Sequence, residues 1–329
     1  MITYLLRRIL YAIPILIGVN VITFTLFFLV NSPDDVARMH LGEKYVTQND
    51  IATWKHEHDY DLPLFFNADE NGWRKIEETL FYRKSIDLFR FKFGTSLQGR
   101  DIGADIFTRM WPSLAIALPT FIIGLAINIT FALIVTLFRA TMLDTLVVIL
   151  CVIMMSISGL FYIILGQYVF GKVLQWFPIS GYQGGWQSIK FVILPVAVGI
   201  ISSVGAGTRW YRTIFLEEMH KDYVRTARAK GLSEMHVLYK HVLKNALLPI
   251  LTGVVVIIPS LFLGSLIIES FFGIPGLGSY TLEAINTQDF DIVRVMVFLG
   301  TLLYIIGLIL TDISYTLVDP RVRLGSRTG

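Results

Sequence analysis

The sequence predicts an all-α polytopic membrane protein with six transmembrane helices, and three observations support this fold class. Apolar residues make up 54% of the 329 residues and charged residues only 16%, whereas soluble globular chains are about 45–50% apolar and roughly 25% charged. The apolar residues are gathered into runs longer than the helices of soluble cores. Lysine and arginine are concentrated in alternate loops. The single cysteine, Cys151, excludes a disulfide within this sequence.

Six apolar runs are long enough to cross a bilayer, because a hydrocarbon core of about 30 Å needs roughly 20 helical residues. The predicted spans are Ile9–Val30, Ser113–Phe138, Leu143–Phe170, Phe191–Thr208, Ala246–Phe271 and Val293–Leu317. The first run is longer than the apolar part of a signal peptide and no Ala-x-Ala site follows it, so a retained span is predicted. The fourth run is the shortest and is interrupted by Pro195, Gly199, Gly205 and Gly207, residues that a membrane helix tolerates when neighbouring helices satisfy its backbone.

The positive charges predict the orientation. Fourteen lysines and arginines lie in the two terminal tails and in the second and fourth loops, against three in the third and fifth loops. Since positive charge favours the cytoplasmic side, both termini are predicted to be cytoplasmic. The predicted segments are a first helix with its tail (1–30), an external loop (31–112), a membrane core (113–317) that includes a cytoplasmic loop (209–245), and a cytoplasmic tail (318–329).

The external loop, residues 31–112, is expected to act as a lid or docking surface. Thr47 and Asp50 have capping-box spacing, which predicts a helix that ends near His58. A second helix is predicted near residues 69–84. The alternating tract Phe89–Phe93 is typical of a strand.

The cytoplasmic loop, residues 209–245, is predicted to form two helices joined by a tight turn. The run Lys221–Lys230 is compatible with a helix, and Gly231 suits the left-handed position that follows one. Ser233 is a predicted N-cap of the next helix, which continues into the fifth span. We expect an exposed side with basic Arg225, Arg228 and Lys230, and small residues that let a protein partner approach, namely Thr226, Ala227, Ala229 and Gly231. Composition alone also fits a loop that merely carries topogenic charge.

Several motifs along the chain, in order, resemble one family of transporters. Tyr223–Ser233, followed by His241–Pro249, closely resembles the cytoplasmic signature of ABC importer permeases, and more narrowly that of the dipeptide/oligopeptide/nickel permease family. Further matching segments are Leu6–Ile9, Phe93–Leu97, Phe177–Gly181, Gly273–Gly278 and Leu317–Arg321. The chain departs from the family pattern in lacking a proline near Ser158 and Gly159 in the third span.

The resemblance implies a type I ABC importer permease fold in a bacterial inner membrane, with a long external loop between the first two helices. It implies a transport subunit for peptides or a related small solute that works by alternating access. The implied partners are a second, similar permease, two cytoplasmic ATPases and an extracytoplasmic solute-binding protein, with ATP hydrolysis confined to the ATPases. Neither a cofactor, a metal nor nucleic acid is expected. The coupling helix implied by the match is Arg225, Thr226, Ala227, Arg228, Ala229, Lys230, Gly231, Leu232 and Ser233.

Two other classes of function fit the sequence less well. An ion-coupled secondary transporter would need carboxylates near the membrane midplane and internal repeats with broken helices, whereas Glu269 and Asp312 lie near the ends of predicted spans. A structural or inter-subunit role is therefore favoured for both residues. A membrane-embedded hydrolase would need a convergent Ser/His/Asp or metal-ligating set within the spans, and the sequence suggests none.

Three short motifs are interpreted as coincidental. The tract Gly166–Lys172 has most of a phosphate-binding loop pattern, but it ends in Val173 and lies at the end of a span. The cluster His56–Asp59 has metal-ligating residue types, yet an exposed helix end explains it more simply. Asn128 begins a glycosylation acceptor sequence in the middle of a span.

Overall fold

The structure is a computed structural model that describes residues 2–28, 33–41, 46–58 and 60–318, with only the backbone of residues 2–5, 39 and 315–318. The helices are α1 Ile2–Phe28, α2 Pro33–Leu41, α3 Gln48–Glu57, α4 Arg74–Glu77, α5 Asp87–Phe89, α6 Ile102–Leu137, α7 Met142–Ser156, α8 Gly159–Gly166, α9 Ser188–Met219, α10 Asp222–Ala229, α11 Glu234–His236, α12 Leu243–Ile257, α13 Leu266–Phe272, α14 Leu277–Asn286 and α15 Phe290–Val318. Short π-helical turns are Tyr82–Ile86, Gln167–Val173 and Val237–Val242, and 3₁₀ turns are Gly185–Gln187 and Ile258–Leu263.

The all-α prediction with up to six spans is confirmed. Within the described residues, five helices are long and apolar enough to cross a membrane, and a bent pair makes a sixth span if it is counted as one. Parts of the predicted first span, beyond Phe28, and the tail after residue 318 lie outside the described residues.

The predicted third span is wrong as a single straight helix, since α7 and α8 meet at an angle of 87°. Ile157 and Ser158 are both extended at the break, with ψ of 129° and 141°. The Tyr162 hydroxyl donates to the carbonyl of Met154 at 2.9 Å, so it provides a partner for a carbonyl group at the end of α7. The bend therefore forms without the proline that the family pattern carries.

The fourth predicted span lies within one continuous helix, α9, which includes its proline and glycines. Its glycines are sites of close helix approach: a Cβ at Gly205 would lie 2.7 Å from the Cys151 carbonyl oxygen, and one at Gly207 would lie 2.5 Å from the Asn128 side chain. Close packing by neighbouring helices offsets the entropic cost of glycine inside a helix.

The fifth span ends earlier than the predicted Phe271. α12 gives way to the 3₁₀ turn and then to Gly264, which has φ +70° and ψ −168°, a conformation almost restricted to glycine. Glu269 therefore lies in the separate helix α13 and not in the span.

In the first loop, the capping box is confirmed. The Asp50 amide donates to Thr47 Oγ1 at 3.3 Å, and the Thr47 amide donates to Asp50 Oδ2 at 2.9 Å. The helix predicted near 69–84 is confirmed only in part, because residues 74–77 and 80–84 are helical with a break between them, while Gly72 has φ +63°. The predicted strand at 89–93 is also wrong, since Phe89 ends α5 and Phe91 has φ +57°.

The described residues divide into two compact units, one within Met1–Thr108 and Thr281–Ile305 and the other within Arg109–Tyr280 and Ile306–Gly329. The core of the first unit is aromatic and includes Phe24, Phe28, Trp54, Tyr60 and Phe290. Beside this core, Lys84 Nζ lies 2.7 Å from Asp291, and Arg294 Nη1 lies 3.2 Å from the same carboxylate.

In the first unit, two histidines stack on Trp54, with ring centroids 5.7 Å away for His40 and 4.3 Å away for His58. Burial lowers the pKa of His40 below its ordinary value, against the nearby Asp289 carboxylate, which raises it. The folded state therefore binds fewer protons than the unfolded state once the pH falls below about 6.5. Stability from this cluster is present above that pH and is lost as the pH falls.

We expect amides in α2 and α3 to be better protected from hydrogen exchange at pH 7.5 than at pH 5.5, after correction for intrinsic rates. His40→Asn should flatten this dependence, whereas His220→Asn, in the other unit, should leave it intact. An equal pH dependence in the wild type and His40→Asn would contradict the assignment.

Candidate functional site

The segment predicted to contact a partner forms a helical hairpin, residues 221–242, which we call the loop-four hairpin. α10 ends at Ala229, and Gly231 follows with φ +76°. The Gly231 amide donates to the Arg228 carbonyl at 2.9 Å. Apart from its chain neighbours, no described residue places an atom within 4 Å of a Cβ built at Gly231, so the backbone conformation alone calls for glycine. The predicted glycine turn is confirmed.

The second arm of the hairpin begins as predicted, because Ser233 Oγ accepts from the His236 amide at 3.4 Å. An ion pair then closes the turn. Arg228 Nε lies 2.7 Å from Glu234 Oε1, and its Nη2 lies 3.2 Å from Oε2. This two-pronged geometry fixes the guanidinium more firmly than a single contact does. Arg228 is thus half-buried within the hairpin and is not the freely exposed cation that was predicted.

The inner side of the loop-four hairpin is packed against the ends of membrane helices. Its buried residues join one apolar core with residues of α6, α9 and α12, and the core members are Ala132, Leu133, Phe215, Met219, Val224, Ala227, Val237, Leu238, Val242, Ala246 and Ile250. Each fully buried aliphatic side chain contributes roughly 1.5–3 kcal/mol. The hairpin is therefore joined to three long helices by a continuous apolar contact.

The outer side presents a smaller surface than the sequence predicts. The exposed members of the nine-residue segment are Arg225, Thr226, Ala229, Lys230, Gly231 and Ser233. Ala227 is buried in the core, and Leu232 is half-buried against it. The small residues that allow close approach are therefore Thr226, Ala229 and Gly231.

An ion pair that the sequence did not predict braces the same end of the second unit. Arg212 Nη2 in α9 donates to Asp144 in α7 at 2.8 Å. Asp144 also accepts from the Ala140 amide at 3.1 Å. A carboxylate at a span boundary was the sequence signal for this pair, but its partner is 68 residues away along the chain.

A cavity of about 610 Å³ lies within the second unit, between α6, α9 and residues 260–269. Its walls are Ser113, Ile116, Ala117, Thr120, Phe121, Gly124, Leu125, Asn128, Ser203, Ala206, Gly207, Trp210, Tyr211, Ser260, Leu261, Gly264, Ser265, Ile268 and Glu269. On α6 these positions recur every three or four residues, so they form one face of the helix. This face could not be predicted from the sequence, because small and apolar residues give no signal of a cavity.

Glu269 is buried beside this cavity and holds together the chain around α13. Its Oε1 accepts from the Ser265 amide at 3.1 Å and its Oε2 from the Ser279 amide at 3.0 Å. The Ser113 hydroxyl also bonds to the carboxylate and accepts from the Leu277 amide at 2.8 Å. A Cβ at Gly264 or Gly276 would overlap the carboxylate oxygens. Glu269 therefore has the structural role that the sequence favours.

The motifs interpreted as coincidental have structural places. Gly166–Lys172 lies within the end of α8 and the π turn that follows it. His56 Nδ1 lies 2.7 Å from Asp61, and Asp59 lies outside the described residues. Asn128 is buried in α6, where its Oδ1 accepts from Thr208 at 3.4 Å. Within the described residues, no group of three or more His, Cys, Asp or Glu side chains has a geometry that could hold a metal.

Comparison with known families agrees with the all-α membrane fold. Residues 104–324 match the family described as the inner membrane component of binding-protein-dependent transport systems, and residues 1–71 match the N-terminal region of such components. The chain belongs to this family. It is an ABC importer permease of the dipeptide/oligopeptide/nickel group and a multi-pass protein of the inner membrane, as the motifs predicted.

Three relatives align along almost their whole length. A protein of Brucella abortus (strain 2308) that is named as a peptide transport system permease is 32% identical to this chain. The alignment covers 97% of this chain and 98% of the relative. The dipeptide transport system permease protein DppB of Alkalihalophilus pseudofirmus is 30% identical, over 98% of this chain and 100% of the relative. The oligopeptide transport system permease protein AppB of Bacillus subtilis (strain 168) is 28% identical, over 98% of this chain and 99% of the relative.

Replacing Glu269 should loosen the chain around α13. In Glu269→Ala two buried amides lose their acceptors, at about 1–3 kcal/mol for each unsatisfied group. We expect a loss of about 2–6 kcal/mol in the free energy of unfolding, measured by denaturant titration in mixed micelles. Glu269→Gln keeps one carbonyl acceptor, so its free energy of unfolding should fall by less than that of Glu269→Ala.

Glu283→Ala is the matched control, because Glu283 is exposed in α14 and exposed substitutions usually change stability by about 0.5 kcal/mol or less. If Glu269→Ala were as stable as Glu283→Ala, the carboxylate would not be holding this region together.

Proposed function

We propose that this subunit imports peptides, or a related small solute, by alternating access driven by ATP hydrolysis in partner subunits. The observation that carries the proposal is the loop-four hairpin, which has an exposed cationic tip and an inner side packed onto α6, α9 and α12. A lever that transmits force must be stiff and must be attached to the helices that move. The names of the relatives, which refer to peptide, dipeptide and oligopeptide transport, support the solute class.

In this proposal, the tip of the hairpin docks on a cytoplasmic ATPase. Arg225 and Lys230 supply positive charge for acidic groups of the partner, while Thr226, Ala229 and Gly231 allow its surface to approach closely. A partner can shift the equilibrium between inward-open and outward-open states only if it contacts the two states differently. Two ATPases, a second permease and an extracytoplasmic solute-binding protein complete the proposed assembly.

The ion-coupled alternative has less support. Such a mechanism needs a carboxylate that exchanges a proton or cation during the cycle. Glu269 accepts hydrogen bonds from the backbone amides of Ser265, Gly278 and Ser279 and from a hydroxyl, so releasing it would disrupt the chain around α13. This environment suits a fixed structural carboxylate.

Gly231→Pro tests the lever. Proline fixes φ near −65°, which is incompatible with φ +76° at this position. We expect the variant to insert into the membrane but to lose at least tenfold in ATP-dependent uptake by proteoliposomes of the complete transporter. Gly231→Trp should do the same by obstructing the docking surface.

Gly231→Ala is the control, because it has the same left-handed strain as Gly231→Trp without the bulk. We expect it to keep at least half of the uptake. Wild-type uptake in both Gly231→Pro and Gly231→Trp would argue against a coupling role. Uptake that persists with inactive ATPases and collapses with the proton gradient would instead favour the secondary transporter.

The proposed orientation places both termini and the loop-four hairpin in the cytoplasm and residues 31–112 outside. A protease site inserted at residue 70 should therefore be cut by protease added to the outside of intact spheroplasts. The same site inserted after residue 230 should be cut only in inverted vesicles. The reverse pattern would overturn the orientation.

A further inference from the structure

The cavity beside α6 is lined almost entirely by uncharged residues. Among the described residues that line it, there is no lysine, arginine, histidine or aspartate, and Glu269 is the only carboxylate. That carboxylate is already bonded to the amides of Ser265 and Ser279. The cavity therefore has no fixed charge available to a ligand.

The polar groups that face the cavity are the hydroxyls of Ser203, which is half-buried, and Ser260, which is exposed. They donate to the carbonyls of Ile200 and Ile257 at 2.8 and 2.7 Å, so their oxygens stay available as acceptors. The Thr120 hydroxyl and the Asn128 side chain belong to the same wall but are buried against α9. Hydroxyl acceptors match the N–H groups of a peptide backbone.

The remaining wall is apolar and spacious. Small residues (Ala117, Gly124, Ala206, Gly207 and Gly264) alternate with the larger Ile116, Phe121, Leu125, Leu261 and Ile268. The volume of about 610 Å³ falls within the range of roughly 300–1,000 Å³ for small-molecule sites. The other side of α6 carries the exposed residues Leu118, Ile122 and Ile123, as expected for a lipid-facing surface. The helix thus separates a lipid face from a cavity face.

We propose that this cavity is a solute-contact site of the permease, and that it takes a short peptide by its backbone amides together with uncharged, apolar side chains. The Ser203 and Ser260 hydroxyl oxygens accept from the backbone N–H groups, and the apolar wall accommodates the side chains. A charged side chain would lose hydration without gaining a partner, which disfavours it. This inference rests on the proposed import function and adds the contact residues and the preferred side-chain class.

Gly124 allows the cavity to be filled with little disturbance of its surroundings. A Cβ at this position would lie 3.6 Å from Ser203 Oγ and 3.9 Å from Ile200, which are ordinary contacts, so Gly124→Ala should fit. Gly124→Leu should occupy the space. The control is Gly18→Leu in α1, where, beyond the adjacent helix backbone, no atom of the described chain lies within 4 Å of a Cβ. In proteoliposomes of the complete transporter, we expect Gly124→Leu to lower uptake of Ala-Leu-Ala at least tenfold, with Gly124→Ala and Gly18→Leu within twofold of wild type.

The chemical preference is tested at Ser260, which lines the cavity and is exposed. Ser260→Asp adds a carboxylate without a basic partner in the wall, so the ratio of Ala-Lys-Ala to Ala-Leu-Ala uptake should rise at least tenfold. Ser260→Asn, which has nearly the same size without the charge, should keep the wild-type ratio. ATP hydrolysis stimulated by the loaded binding protein reports whether each variant still assembles and couples. A ratio that is unchanged in Ser260→Asp, with ATP hydrolysis intact, would overturn the proposed selectivity.

The outcomes separate this inference from the function on which it rests. If the wild type imports none of the peptides, the proposed function fails. If the wild type imports them and Gly124→Leu does so equally well, only the cavity site fails. If Gly124→Leu does not assemble, a benzophenone side chain at Phe121 should crosslink to radiolabelled peptide at least tenfold more than one at Ile122. Equal crosslinking from both positions, or crosslinking to lipid alone, would overturn the site.

Discussion

Inside a bilayer, a broken helix leaves backbone N–H and C=O groups that water cannot reach, and each must find a partner within the protein. This constraint explains how the structure tolerates its irregular segments. The Glu269 carboxylate satisfies amides on both sides of α13, and Tyr162 donates to the Met154 carbonyl at the bend between α7 and α8. Gln167 similarly donates to the carbonyls of Ile179 and Phe271, at 2.9 and 2.8 Å. Single polar side chains thus stabilise the breaks, and the cavity beside α6 borders one of them.

The sequence predicted the features that depend on local chemistry. The Thr47 capping box, the Gly231 turn and the Ser233 N-cap each need only a few neighbouring residues, and all three are confirmed. The six-span count also followed from local hydropathy. The errors occurred where the outcome depends on distant contacts. The fifth span was predicted to reach Phe271, but the chain turns at Gly264, where a Cβ would overlap the Glu269 carboxylate, and no local hydropathy pattern contains that information.

The candidate site could be predicted only in part for the same reason. The motif identified the nine residues of the coupling segment, but it could not separate those that face outward from those that join the core. Ala227 packs inside the core. Arg228 forms an ion pair with Glu234 within the hairpin. The cavity was missed altogether, because its walls come from three segments whose residues are individually unremarkable for a membrane helix.

The left-handed backbone at Gly231 limits which residues the turn accepts. For the fold of the turn itself, this limit depends on the chirality of the residue and not on the size of its side chain. A D-amino acid of any moderate volume would meet the conformational requirement, because the position is open and its φ is +76°. Among the natural L-residues, asparagine and aspartate enter this region most readily. Evolutionary drift at this position should therefore run towards asparagine before alanine, although alanine is the nearer residue in volume.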